Sequence, residues 1–122
     1  GIRLLSLEVV RKVHHQKKAG NWISYFYSGQ IAVLQAYEAG YKEGVFIRLS
    51  RQGYVEEQCF YHLDKLSGIR TIFRPGGHVV TVEHYKNGQL DGVKKEFYEN
   101  GKIMSTKQYR QGLLNGKSQW YN

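Results

Sequence analysis

The chain has 122 residues, 41% of them hydrophobic, with a formal charge of +8, one cysteine and one proline. That length fits one domain, the lone Cys59 excludes an internal disulfide, and no apolar run approaches the roughly 18 residues a membrane-spanning helix needs. The first residues lack the charged-then-apolar order of an export signal, and a start at Gly1 rather than Met leaves localisation open between the cytoplasm and export with a leader removed.

From the N-terminus, Leu5, Leu7, Val9 and Val13 alternate as a strand would, while Ile2, Leu5, Val9 and Lys12 also fit one helical face. The choice comes from the rest of the chain, which repeats every 24 residues. Tyr37, Tyr61, Tyr85 and Tyr109 form one column, Gly44, Gly68, Gly92 and Gly116 a second, and Gly29, Gly53, Gly77 and Gly101 a third. Leu7, Ile31, Val55, Val79 and Ile103 form an aliphatic column, and Tyr25, Leu49, Phe73, Phe97 and Tyr121 another apolar one. Several columns in fixed phase mean internal duplication of one small unit. The units are residues 1–12 (partial), 13–36, 37–60, 61–84, 85–108 and 109–122 (partial), forming a single repeat domain, and their phase selects the strand reading for residues 2–13. Charge is spread over these units, from −1 in 37–60 to +2 in four of the others. A nucleic-acid footprint would be a dense basic stripe, so nucleic acid is not the expected partner.

Each unit holds two short β-type runs with turn chemistry between them. In 85–108 these are Val93 to Tyr98 and Lys102 to Tyr109, joined by Glu99-Asn100-Gly101. A two-residue turn would send the Phe97 and Ile103 columns to opposite faces. A three-residue turn with Gly101 in the left-handed region pairs Phe97 with Ile103 on one face and is the expected form. In the longer connections the leucine two residues before the glycine (Leu66, Leu90, Leu114) is expected to fold back under the loop, and Gly92 to supply a positive φ. The predicted architecture is all-β: an elongated single antiparallel meander sheet of about five 24-residue β-hairpin repeats, about ten strands and roughly 45 Å long at the usual strand spacing.

Simple alternation puts the tyrosine column beside the aliphatic column, where stacking between strands accounts for it without a ligand. The opposite, unrepeated face is then expected to carry Trp22, Phe26, Phe46, Arg48, Arg70, Ile72, Arg74 and Lys94 on the first strands, with Ala32, Leu34, Ala36, Phe60, Val80 and Val82 on the second. Towards the C-terminus this face turns polar at Glu96, Thr106 and Gln108. Trp22, Phe46, Arg48, Arg70, Arg74 and Lys94 are the candidate binding surface, since interleaved Arg and aromatic residues are common in interfaces. The structural alternative is that their stems shield the sheet.

No catalytic constellation is visible. His14, His15, His62, His78 and His84 are scattered, Asp64 and Asp91 sit in turns, and adjacent Glu56 and Glu57 diverge on a strand. Cys59 reads as a half-buried small residue, and no cofactor or metal is expected.

The units Tyr85-Lys-Asn-Gly88 through Leu90-Asp-Gly92 to Phe97-Tyr98-Glu-Asn-Gly101, and Tyr109-Arg-Gln-Gly112 through Leu114-Asn-Gly116, resemble the MORN-repeat variant of bacterial proteins, many of them labelled antitoxins of the YwqK type. The match is strong over residues 85–122 and degraded over 13–84, where Asp64 replaces a glycine, Leu49 an aromatic residue and Gly76-Gly77 an Asn-Gly. The resemblance implies a non-enzymatic binding or scaffold module with a protein partner, such as a toxin, or self-association. Related repeats are linked to membrane lipids, so weak binding to anionic lipid, or a purely structural spacer, are the alternative readings.

Overall fold

The computed structural model describes residues 2–4 and 18–122. Of the predicted first strand, only its beginning is placed: β1 (Ile2–Leu4) pairs antiparallel with Ser24–Phe26. Leu5, Leu7, Val9, Val13, His14 and His15 lie outside the described residues.

The hairpins follow in order along one sheet. They are β2 (Gly20–Phe26) with β3 (Ile31–Glu38), β4 (Tyr41–Leu49) with β5 (Val55–His62), β7 (Gly68–Phe73) with β8 (Val79–Lys86), and β10 (Gly92–Phe97) with β11 (Ile103–Arg110). Short strands β6 (Lys65–Leu66), β9 (Gln89–Leu90), β12 (Leu113–Leu114) and β13 (Gln119–Trp120) fold back on β5, β8, β11 and β11 respectively. All of it is one 13-stranded sheet, and no helix occurs among the described residues.

Two kinds of turn alternate along the sheet's long edges. At one edge lies the expected three-residue form: Phe97 pairs with Ile103, Tyr98 N–H donates to Lys102 C=O at 2.8 Å, and Gly101 has φ +90°. The other edge differs from expectation. There the long connections are themselves two-residue hairpins, Ala39-Gly40, Leu63-Asp64, Asn87-Gly88 and Gln111-Gly112, with φ positive at both residues, the geometry that matches strand twist. Leu66, Leu90 and Leu114 are therefore strand residues opposite Tyr61, Tyr85 and Tyr109 rather than plugs under a loop.

These two-residue turns bond to one another across units. Gly40, Asp64, Gly88 and Gly112 each donate a backbone N–H to the C=O of Lys18, Lys42, Leu66 and Leu90, at 2.8 to 3.0 Å. Carboxylates reinforce the stack: Lys42 N–H donates to Asp64 Oδ1 at 2.7 Å, Leu63 N–H to Glu43 Oε1 at 3.0 Å, and Gln111 N–H to Asp91 Oδ1 at 3.3 Å. Asp64 thus compensates for the missing glycine, because Asp tolerates the left-handed region and its side chain returns a hydrogen bond to the neighbouring unit. Leu63 is the unfavourable residue in this turn, exposed and held at φ +47°. Leu63→Asn is expected to stabilise the chain by about 0.5–1 kcal/mol, read as a rise in the urea midpoint with unchanged slope.

A bulge corrects the predicted faces. In every hairpin the second strand carries one extra residue just past the three-residue turn: Ala32, Glu56, Val80 or Met104. One inserted residue reverses side-chain parity from there on. The regular apolar columns do pair on one face, as Tyr25–Ile31, Leu49–Val55, Phe73–Val79 and Phe97–Ile103. The tyrosine column lies on the other face, opposite the glycines, as Tyr37–Gly20, Tyr61–Gly44, Tyr85–Gly68 and Tyr109–Gly92. Leu34, Ala36, Phe60, Val82, Thr106 and Gln108 accordingly join the aliphatic face, while Glu96 stays on the tyrosine face.

Among the described residues no second layer covers either face. Among the described residues only Ala32 and Cys59 are buried hydrophobic side chains, and Ile31, Phe60, Ile69 and Ile103 remain exposed on the aliphatic face.

Candidate functional site

The tyrosine face gathers most of the predicted site. Trp22, Phe46, Arg48, Arg70 and Lys94 sit on it, on the first strand of successive hairpins, and the bulge brings Glu57, Cys59, Glu83 and the tyrosines to the same side. Arg74 stands apart, at the β7–β8 turn, its N–H donating to His78 C=O at 2.8 Å and its Nη2 reaching Phe97 C=O at 3.5 Å.

Ion pairs cross the centre of this face. Arg48 donates to Glu56 at 2.6 Å and to Glu57 at 3.2 Å; Arg70 Nε donates to the other oxygen of Glu57 at 2.7 Å and Nη1 to Glu83 at 2.6 Å. Lys94 meets Glu83 at 3.3 Å, and Lys107 meets Glu96 at 3.4 Å. The register causes this, since Arg48 is directly opposite Glu57 and Arg70 directly opposite Glu83, the favourable cross-strand arrangement. Burial opposes the charge on Glu83, but the hydrogen bonds from Arg70 and Lys94 outweigh it and hold its carboxyl below the usual range. Burial likewise opposes the Arg70 guanidinium, and Glu57 and Glu83 more than restore it. The ladder is neutral, with Arg48, Arg70, Lys94 and Lys107 against Glu56, Glu57, Glu83 and Glu96.

Towards the N-terminus the face becomes aromatic. Trp22 and Tyr37 meet edge to face with centroids 5.8 Å apart, and Phe46 and Tyr61 do so at 6.2 Å. Lys18 Nζ lies 4.4 Å from the Trp22 ring centroid and 5.0 Å from that of Tyr37; Lys42 Nζ lies 5.0 Å from that of Tyr61. Burial, before any charge, raises the phenols of Tyr37, Tyr61 and Tyr85 above their ordinary value, so they stay neutral donors.

Lys18 and Lys42 were not among the predicted site residues. The signal for them was in the repeat: the column 18, 42, 66, 90 reads Lys, Lys, Leu, Leu, while the column four residues on reads Trp, Phe, Arg, Lys. Units 13–36 and 37–60 place a lysine and then an aromatic ring at these two positions, and units 61–84 and 85–108 a leucine and then a cation. In the later units the cation, Arg70 or Lys94, meets a glutamate and enters the ladder. In the earlier ones it lies over a ring, and no carboxylate among the described residues pairs with it.

Cys59 lies opposite Phe46, with 1% of its surface exposed. Burial and then the Glu57 charge push its thiol up to about 11, which suppresses the nucleophilic thiolate. A thiol-specific disulfide reagent at about pH 8 is expected to leave the folded chain unlabelled and to label it fully in denaturant. Among the described residues no cluster of three or more His, Cys, Asp or Glu side chains is placed to hold a metal ion.

Comparison with known families gives one match. Residues 90–111, running from β9 through β10 and its three-residue turn to the end of β11 and the first residue of the next two-residue turn, match the MORN repeat variant. A comparison with curated proteins finds no match. The matched unit shares its turns, bulge and register with the hairpins before it, so the chain is built from successive hairpin units of which residues 90–111 are similar to the MORN repeat variant.

Proposed function

We propose that the chain is a non-enzymatic protein-interaction module whose broad sheet faces are its working surfaces. The observation that carries this is the aliphatic face left uncovered by the described residues, where Phe60 on β5 and Ile69 on β7 are 40% and 47% exposed. Apolar side chains on an open sheet gain by being covered. The rest of the molecule supports binding rather than chemistry, since the cations and carboxylates at the centre of the opposite face neutralise one another.

A photo-crosslinking residue placed at Phe60 or Ile69 in cells is expected to yield discrete protein adducts, and one placed at the exposed turn residue Tyr27 is not. Adducts only with lipid would replace this reading by peripheral binding to an anionic membrane, which the charge of +8 supports. No adduct from any face position would reduce the chain to a spacer. The finer reading, neutralisation of a toxin, is supported by the family resemblance alone. Rescue of growth on co-expression with a toxic product of the adjacent gene tests it.

A further inference from the structure

From Lys18 and Lys42 we infer that the N-terminal half of the tyrosine face docks an extended acidic segment of a protein partner, its carboxylates on the two lysines and its backbone across the aromatic pairs. The proposal rests on the protein-binding reading above and names the chemistry of the partner.

Charge complementarity carries it. The cations of the central ladder are matched by glutamates of the chain itself. Lys18 and Lys42 are held over Trp22, Tyr37 and Tyr61 with no carboxylate partner among the described residues. Asp64, whose charge acts on Tyr37, is occupied by the backbone N–H of Lys42. A cation over a ring stays charged and keeps its outer side free for an anion. The two lysines occupy equivalent places in successive units, two strands apart, which is about 10 Å at usual strand spacing. A polyproline-type segment repeats its side-chain direction every third residue at about 9 Å, so glutamates at every third position reach both lysines. Trp22 and Phe46, the aromatic residues of these two units, supply flat apolar area beneath such a segment.

The experiment uses the full chain carrying Trp120→Phe, so that Trp22 alone reports. The probe is a peptide with glutamate at every third position and proline and serine between. Saturable change in Trp22 fluorescence is expected, absent with the glutamine version of the peptide and lost at high salt. Lys18→Ala/Lys42→Ala is expected to weaken binding at least about tenfold, about 1.4 kcal/mol. Lys18→Arg/Lys42→Arg is expected to retain binding, with circular dichroism unchanged in both variants. Equal weakening by Lys86→Ala/Arg110→Ala, two exposed cations on other units, would assign the effect to net charge and overturn the proposal. Absence of peptide binding overturns it too, and binding to phosphatidylserine vesicles in its place would give the lysines to a lipid surface. If the peptide binds but is lost on Phe60→Ser/Ile69→Ser instead, the protein-binding reading stands and this location fails.

Discussion

Replacement of Gly92 by alanine is expected to destabilise the chain by roughly 2–4 kcal/mol, a sum of backbone and contact costs. Gly92 has φ +118°, where an added Cβ is strained in any surroundings, and that Cβ would lie 3.2 Å from the Cβ of His84. His84 cannot easily give way, because its Nδ1–H donates to the Val93 carbonyl at 2.9 Å. Gly101→Ala is the matched control: it shares a positive φ of +90° but has nothing within 4 Å of the added carbon, so only the backbone part, about 1–2 kcal/mol, is expected. Urea midpoints of the two variants separate the contributions. Equal losses would show that His84 does not crowd the glycine.

The second large effect is expected from Arg70→Met, which leaves Glu57 and Glu83 facing each other across the sheet without their shared guanidinium. Their side chains are 14% and 6% exposed, against 28% for Arg70. Removing one member of a fully buried pair costs about 3–5 kcal/mol, and partial solvent access lowers the expectation to roughly 2–3 kcal/mol at pH 7. The pH dependence distinguishes this from lost packing. In the native chain the Glu83 carboxyl is held low, so its contribution to stability is complete above the unfolded carboxylate range and fades as pH falls through the folded value. Without Arg70, only Lys94 is left to offset the burial of the same carboxyl, and protonation relieves the under-compensated charge. The gap between the two proteins is therefore expected to narrow as pH drops below about 5. Adding Glu83→Gln to Arg70→Met is expected to recover part of the loss at pH 7. A gap that stays constant with pH would show that the ion pairs contribute only bulk.

The fold was largely legible in the sequence because a 24-residue phase exposes turn chemistry column by column. Gly101 and the Phe97 and Ile103 columns led correctly to a three-residue turn. The face of the tyrosines was not legible, because Ala32, Glu56, Val80 and Met104 share no residue type that would mark a bulge. A bulge depends on which ladder bonds are skipped rather than on side-chain identity. The candidate surface was half legible for the same reason. Trp22, Phe46, Arg48, Arg70 and Lys94 share a first-strand parity that precedes the bulge, and they do stand together. Their glutamate partners lie past it, so the ladder was hidden, as was the neutrality it confers. Lys18 and Lys42 escaped notice because a lysine in a mostly leucine column looks like decay of the repeat.

The stacked two-residue turns also shape how the chain comes apart. Each joins its unit only to the one before, through bonds between residues 22 apart such as Gly112 to Leu90 and Gly88 to Leu66. No bond among them closes a long loop, so ordering any unit requires only its neighbour. Folding can then start at any hairpin and spread in both directions like a zipper, quickly for an all-β chain. Melting is expected to spread from unit to neighbouring unit in the same way, read as graded rather than uniform amide exchange along the sheet.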